Sequence, residues 1–471
     1  MTNERVAPVG HQAPSAQGPR GRPGALSMDG LFVGGSEPKG ERIKGGPTVT
    51  FDAQEAVRQS TRAQGASGEI HDVRHATCCI AGCGPAGAML GLLLARKGVD
   101  VLVLEKHGDF LRDFRGDTIH PSTIEIMDEL GLADRLLFLP HTKASQLRFR
   151  TPRGAATLAD FRDLKTRFPY LAFMPQWDFL DFVTQEAERY PNFELVMNAE
   201  VRELVEEGGV IRGVRYETSD GIREARAPLT VAADGRDSRV REQAGLRVVA
   251  TAPPIDVLWF RISRRKGDPE EPTGYIGGGR FVVLINRGDY WQVGYVLPKG
   301  ADQRVRAAGL ESFRRSVGEA VPEVADRTDE IQDWDQVKLL SVQVDRLRRW
   351  YRPGLLCIGD AAHAMSPVGG VGINLAIQDA VAAANALAEP LRAGRAELRY
   401  LRAVQLRREL PIRILQGLQS LVHRRIVAPA VGGGGIPSPP LPMKALLRPR
   451  VVRYLPARII AFGIWPVHVK C

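Results

Sequence analysis

Cysteine is scarce in this chain, five among 471 residues. Cys78, Cys79 and Cys83 crowd one predicted strand and turn, Cys357 sits in another strand, and Cys471 is the last residue. No pair has the spacing of a metal site or of a redox-active CxxC, so a disulfide framework is excluded and small, buried, apolar thiols are expected. No run of eighteen apolar residues occurs, so no membrane span is predicted. The apolar core of a secretion signal is also missing from the N-terminus, and a cytoplasmic location is the expectation. Acidic residues are rare in one region only. From Leu391 onward there are two, Glu397 and Glu409, against fifteen Lys and Arg, a balance of +13. The whole chain carries +10, so everything before Leu391 sums to −3. The basicity belongs to a tail and gives no reason to expect a polyanionic partner for the whole molecule.

What is present is ordinary for a globular protein: 44% hydrophobic and 25% charged residues, enough for a large core. Residues 1–75 hold twelve Gly and six Pro without a sustained apolar period, and read as a disordered extension. From Ala76 to about residue 250, apolar strands alternate with helical patterns, which implies an α/β architecture with a parallel sheet. Between Ile255 and Leu297 longer strand-like runs follow, including Val257–Phe260, Phe281–Ile285 and Tyr290–Val293. They are joined by Gly277-Gly278-Gly279 and by the turn Asn286-Arg287-Gly288-Asp289, as in an antiparallel meander. The α/β pattern returns at Leu355, and a basic helical tail begins near Ala396. The expected segments are 76–155, 191–250 and 341–390 for a nucleotide-binding domain, 156–190 and 251–340 for the substrate side, and 391–471 for the tail.

Three motifs carry the chemistry. The first is a buried strand, Ala76–Ala81, leading into Gly82-Cys83-Gly84-Pro85-Ala86-Gly87 and a helix from Ala88. Gly82 permits a tight turn, Gly84 lets backbone approach a pyrophosphate, and Gly87 allows close helix–strand packing. A second strand, Val99–Leu104, ends in Glu105, a carboxylate suited to two ribose hydroxyls. The second motif, Leu229–Ala233 followed by Asp234-Gly235, is by itself compatible with any strand and sharp turn. The third runs from Leu355 through Gly359-Asp360-Ala361-Ala362-His363 to Pro367 and the segment Gly369–Asn374, which opens another helix. It delivers Asp360 at the carboxyl end of a strand and a helix N-terminus beside it.

Together these segments resemble the single-component FAD-dependent monooxygenases of the para-hydroxybenzoate hydroxylase type, over about residues 76–390. The resemblance implies a Rossmann-like FAD-binding domain with an inserted, mainly antiparallel β substrate domain and a C-terminal helical tail. It implies that Gly82, Gly84, Pro85, Ala86, Gly87 and Glu105 bind the adenosine half of FAD, and that Asp234, Gly235 and Asp360 hold phosphates and ribityl chain. Gly372, Ile373 and Asn374 would lie beside the flavin ring, with Pro367, Gly370 and Gly372 nearest the chemistry. Arg115, in Arg115–Pro121, and Gln176 occupy positions where the family places further FAD contacts. The implied reaction is reduction of FAD by NADPH or NADH, then oxygen transfer from dioxygen through a flavin hydroperoxide to an aromatic, quinone-like or polyketide-type small molecule. No metal is implied. His363 is the tempting base, yet in its Gly-Asp-Ala-Ala-His turn it is read as holding the loop or packing near FAD.

On the substrate side Trp259, Tyr275 and Trp291 lie on the predicted meander and are candidates to line an aromatic cavity; ordinary sheet packing is the alternative for each. The tail segment Val451–Phe462 is apolar with arginines on it. It can lie on anionic lipid, as a peripheral membrane contact, or pack on the FAD domain with solvated arginines. Nucleic-acid binding is not expected, because the basic stretch has no reader fold. Two alternatives to the hydroxylase remain, a flavin-dependent reductase of a prenyl double bond and a flavin-binding peripheral membrane scaffold without turnover. A flavin halogenase is disfavoured by the lack of a Trp-x-Trp-x-Ile-Pro segment, and a disulfide oxidoreductase by the lack of CxxC.

Overall fold

The computed structural model describes residues 70–111, 117–251, 253–433 and 450–470. Most of the expected 1–75 extension and the candidate Arg115 lie outside the described residues. Seven helices frame the site: α1 (Pro85–Arg96), α2 (Pro121–Glu129), α3 (Gln176–Ala187), α4 (Leu310–Ala320), α5 (Gly372–Arg392), α6 (Leu398–Val422) and α7 (Arg450–Phe462).

A six-stranded sheet carries all three motifs. Its order is Tyr351–Arg352, Leu355–Cys357, Leu229–Ala232, Cys78–Ala81, Val101–Leu104 and Phe193–Val196. Every pairing but that of Tyr351–Arg352 is parallel. The Cys78–Ala81, Val101–Leu104 and Leu229–Ala232 strands are buried at every residue, as a parallel sheet covered on both faces requires. On one face Cys78 and Ile80 pack with α1 and α5. On the other, Cys79 and Leu102 pack with Val214, Tyr216 and Ala225.

That second covering layer departs from the expected alternation of strands and helices up to residue 250. Glu200–Glu207, Val210–Thr218 and Gly221–Arg226 form consecutive antiparallel strands. Gly208 and Gly209, both in the left-handed region (φ 56° and 78°), close the first hairpin. Arg215 bridges Glu203 and Glu224 on its two flanking strands, at 3.2 and 3.1 Å. Val73–His75 adds in parallel to the edge of this layer. The extension drawn as 1–75 is therefore too long. Order there comes from backbone supplied 150 residues downstream, which local composition cannot register.

The second sheet has seven strands, ordered Lys338–Leu340, Ile255–Ser263, Tyr290–Pro298, Arg280–Asn286, Thr273–Gly277, Gln146–Thr151 and Gly154–Asp160. Its centre is the antiparallel meander expected from the sequence. The Gln146–Asp160 hairpin joins it through a parallel pairing with Thr273–Gly277, so a boundary at 155 cuts through a strand. One face of this sheet (Leu258, Phe260, Tyr275, Val282, Trp291, Val293) packs against Phe313 and Val317 of α4. The opposite face, with Trp259, Val283 and Val296, meets Val427 and Ala430 just beyond α6. Further along it, Ile285 shares a cluster with Ala457 and Ala461 of α7.

The described end of the tail docks on the FAD domain. Lys97 Nζ donates to the Lys470 carbonyl (2.7 Å), Asn385 Nδ2 to the His468 carbonyl (2.8 Å), and the Val469 amide to Glu129 (2.7 Å). Val467 is buried in the main core. Among the described residues no helix is long and apolar enough to cross a membrane.

Candidate active site

The three motifs meet at the carboxyl ends of adjacent strands. A Cβ on Gly82 would lie 2.6 Å from the Ala233 carbonyl, so the first glycine turn is pressed against the Asp234-Gly235 turn. A Cβ on Gly359 would lie 3.0 Å from Ala86, which brings the third motif onto the start of α1. Arg236, just past the second motif, reaches within 3.9 Å of Asp360. These segments are more than 100 residues apart in sequence, and strand order alone unites them.

The local geometry fits a dinucleotide. Gly82 has φ 96°, open to glycine at little cost, and a Cβ on Gly87 would collide with the Gly82 carbonyl at 1.9 Å. A Cβ on Gly84, by contrast, would meet nothing within 4 Å, which leaves the space in front of α1 clear for phosphates. Pro85 opens α1, and no side chain caps it, so the Ala86 and Gly87 amides face that space without intrahelical acceptors. Glu105 is buried at the end of its strand and accepts the Cys83 amide at 2.9 Å and the His107 amide at 3.2 Å. The carboxylate is thereby fixed next to the turn. Burial raises the carboxyl of Asp234, whose Oδ2 accepts the Val240 amide at 3.2 Å while Oδ1 is buried with no hydrogen-bond partner in the protein. An orphaned buried oxygen at this spot is what a cofactor hydroxyl would satisfy. Asp360 keeps about a third of its side chain exposed in the same cleft. Among the described residues the cysteines are buried and unpaired, and burial pushes the Cys79 thiol up to about 12 and that of Cys83 well above its ordinary value. They are packing residues, as their spacing suggested.

The N-terminus of α5 forms the other half of the cradle. Val371 precedes it, and the Gly372, Ile373 and Asn374 amides have no intrahelical acceptor. The Asn374 side chain is committed within the protein. Its oxygen accepts from the His120 amide and Thr123 Oγ1, both at 2.8 Å, and its nitrogen donates to the Thr118 and Gly370 carbonyls. Asn374 therefore ties Thr118–Thr123 to the flavin-side turn, leaving its backbone rather than its side chain for the ring. Gly370 (φ 63°) lies so close to Thr118 that a Cβ would sit 3.0 Å from Thr118 Oγ1. Pro367 is held in a loop whose flanking carbonyls, Ser366 and Val368, accept from Gln419 of α6 at 3.0 and 2.9 Å. His120 is buried among these elements. Its Nδ1 meets the Ile460 carbonyl of α7 at 2.6 Å, and burial lowers its pKa to about 4.

Beneath the third motif lies a fully buried ionic network that the sequence did not reveal. Asp379 of α5 accepts from His363 Nε2 (2.5 Å), Arg408 Nε of α6 (2.7 Å) and the Gly359 amide (3.1 Å). The two cations and three hydrogen bonds hold its carboxyl below the usual range despite burial. His363 stacks near Trp350, with ring centroids 5.1 Å apart. It is a structural partner that fixes the Gly359-Asp360 turn, in line with the bland reading and not with a base.

On the substrate side only one of three aromatic candidates faces the cleft. Tyr275 and Trp291 belong to the face covered by α4, where Trp291 is 1% exposed and donates to Asp268 at 3.0 Å. Strand alternation explains the correction. Register with Leu258 and Phe260 puts both on the outer core, whereas Trp259 points the other way. On the Trp259 face the structure shows a cluster that spacing could not disclose. Arg287 pairs with Asp117, and its Nε and Nη2 donate to Gln292 Oε1 at 2.8 and 2.6 Å. The Gln176 amide bonds the same Asp117 carboxylate, which is where Gln176 acts. Burial raises the Asp117 carboxyl to about 6 in spite of Arg287 and lowers the guanidinium.

Comparison with known proteins agrees with this geometry. Residues 75–416 match the FAD binding domain family, and the chain belongs to it as an FAD-dependent monooxygenase of the flavoprotein hydroxylase type, with FAD as cofactor and NAD(P)H as reductant. It is 33% identical over 408 residues to 6-methylpretetramide 4-monooxygenase of Streptomyces rimosus, covering 85% of this chain and 95% of that one. Para-nitrophenol 4-monooxygenase of a Pseudomonas species is 26% identical over 332 residues, 67% of this chain and 78% of the relative. Among solved structures, P. aeruginosa PqsL in complex with 2-aminobenzoylacetate superimposes with TM-score 0.66 at 23% identity, over 77% of this chain and 98% of PqsL, a likeness of fold.

Proposed function

We propose that this monooxygenase hydroxylates a polycyclic aromatic polyketide carrying phenolic or enolic oxygens. The observation that carries the reading is the convergence of the three motifs on one cleft whose far wall is the Trp259 face of the second sheet. Similarity to an enzyme named for 6-methylpretetramide, along nearly its whole length, supports a fused-ring substrate.

Bound FAD supplies the redox chemistry, accepting hydride from NAD(P)H and activating dioxygen. The chain supplies position and field. The α1 amides and Glu105 anchor the adenosine half, and Asp234 and Asp360 the middle. The free amides at the start of α5 stabilise negative charge on the ring edge that faces them. Asn374, Gln419 and the Asp379 network keep the two flavin-side loops from relaxing, and the second sheet excludes water from the ring.

The reading is tested with the FAD-loaded protein, NADPH or NADH, and a panel of hydroxylated anthrones and naphthacenes under labelled dioxygen. Expected are substrate-dependent nicotinamide oxidation and one labelled oxygen atom in the product. Nicotinamide oxidation without labelled product across the panel, or oxygen-independent reduction of a prenyl double bond, refutes it.

A further inference from the structure

Arg287 stands at the end of the Arg280–Asn286 strand, in a turn that reads from sequence as nothing more than a hairpin. Its side chain is 5% exposed, and the guanidinium lies 5.7 Å from the Phe173 ring. Two of its nitrogens are occupied by Asp117 and Gln292. The third, Nη1, is buried and has no hydrogen-bond partner in the protein. A buried charged donor left without an acceptor is costly, and native sites rarely leave one unexplained.

The surroundings point to what the acceptor is. Gln292 and Arg261 face each other across paired strands, and Arg261, on the same face as Trp259, lies over the Tyr290 ring at 5.0 Å. Arg261 is exposed, so the cluster opens to the cleft at that side chain. Two arginines and one aspartate leave a net positive charge. The aspartate is the residue before Thr118, which contacts Gly370 at the expected ring position. The cluster therefore sits where the flavin-side loop meets the substrate-side sheet.

We propose that Arg287 Nη1, with Arg261 beside it, receives an anionic oxygen of the substrate, a phenolate or an enolate, and so orients the ring system toward the flavin. This rests on the proposed hydroxylase reading and narrows it to acidic oxygen-bearing substrates. Asp117 and Gln292 act as positioning residues that hold the guanidinium with Nη1 turned outward. Without Asp117 the fork is free to rotate; without Arg287 the buried carboxylate has lost its counter-ion.

The test compares 1,8-dihydroxyanthraquinone with its dimethyl ether as ligands of the FAD-loaded full chain, reading dissociation constants from flavin fluorescence. The wild type is expected to prefer the phenol, and Arg287→Met to lose about tenfold to a hundredfold of that preference, the range for a hydrogen bond to a charged group. The double variant Asp117→Asn with Arg287→Met removes both charges together, guarding against loss of fold, and is expected to show the same loss. In each protein the dihydroxyanthraquinone's red-shifted ionised band reports whether the bound phenol is deprotonated. A wild type with no preference for the phenol, or a double variant that keeps both preference and ionised band, overturns the anion site. Neither outcome touches the hydroxylase reading, which stands or falls on labelled-oxygen incorporation.

Discussion

Replacing Asp379 by Asn separates the role of the buried network from that of the cofactor. The carboxylate is fully buried and takes three hydrogen bonds, from His363, Arg408 and the Gly359 amide. Asparagine fills the same volume but keeps one acceptor oxygen and turns a donor toward a cation. Arg408, also fully buried, then has no counter-ion, because its other bonds go to the neutral Gln378 oxygen and Leu375 carbonyl. Breaking one partner of such a pair costs about 3–5 kcal/mol. At roughly 2–4 °C per kcal/mol this lowers the melting temperature by the order of 10 °C. FAD binding weakens as well, since the Gly359-Asp360 turn loses its tether. Urea unfolding of apo-protein and equilibrium dialysis of FAD measure the two effects separately. Combining Asp379→Asn with Arg408→Met removes the stranded charge and is expected to recover more than half of the lost stability. An Asp379→Asn protein within about 1 kcal/mol of wild type, against the expected 3–5, refutes the reasoning.

Two further predictions concern particular side chains. Gly84→Ala leaves apo-protein stability unchanged, because its φ of −72° suits alanine and the added Cβ meets nothing, yet it weakens FAD binding tenfold or more, about 1.4 kcal/mol; Gly87→Ala, colliding with backbone at 1.9 Å, destabilises the apo-protein itself, and calorimetry with FAD titration distinguishes the pair. Burial lowers His120 from 6.5 to about 4, so between those values the unfolded chain binds a proton that the folded chain refuses. That contribution is complete above pH 6.5 and is lost as pH falls toward 4, amounting to about 3 kcal/mol. His120→Gln should flatten this part of the pH dependence of the urea midpoint, and identical slopes in the two proteins contradict the assignment.

Much of the cofactor site was legible in the sequence because its determinants are local. Gly82, Gly84 and Gly87 act through backbone geometry within six residues, and Glu105 and Asp360 through their place at the end of a buried strand. Periodicity identified those strands and the Ile255–Leu297 meander, since each pattern repeats over a few residues. Local reasoning failed where the partner is distant. It missed that Val73–His75 is a strand, because the strand it joins lies near residue 224. It placed Tyr275 and Trp291 toward the substrate, because alternation says which residues share a face but not which face meets the cleft.

Residue identity alone thus determined the cofactor class, through glycines that no other residue can replace at those backbone angles and contacts. Tertiary structure decided everything that depends on long-range pairing: that Asp379, His363 and Arg408 form one buried network, that Asn374 spends its side chain on Thr118–Thr123, and that Arg287 meets Asp117 across 170 residues. A charge in a linear sequence has no environment. Only the packing of two sheets against each other removes water from that arginine and leaves one of its donors waiting for an acceptor.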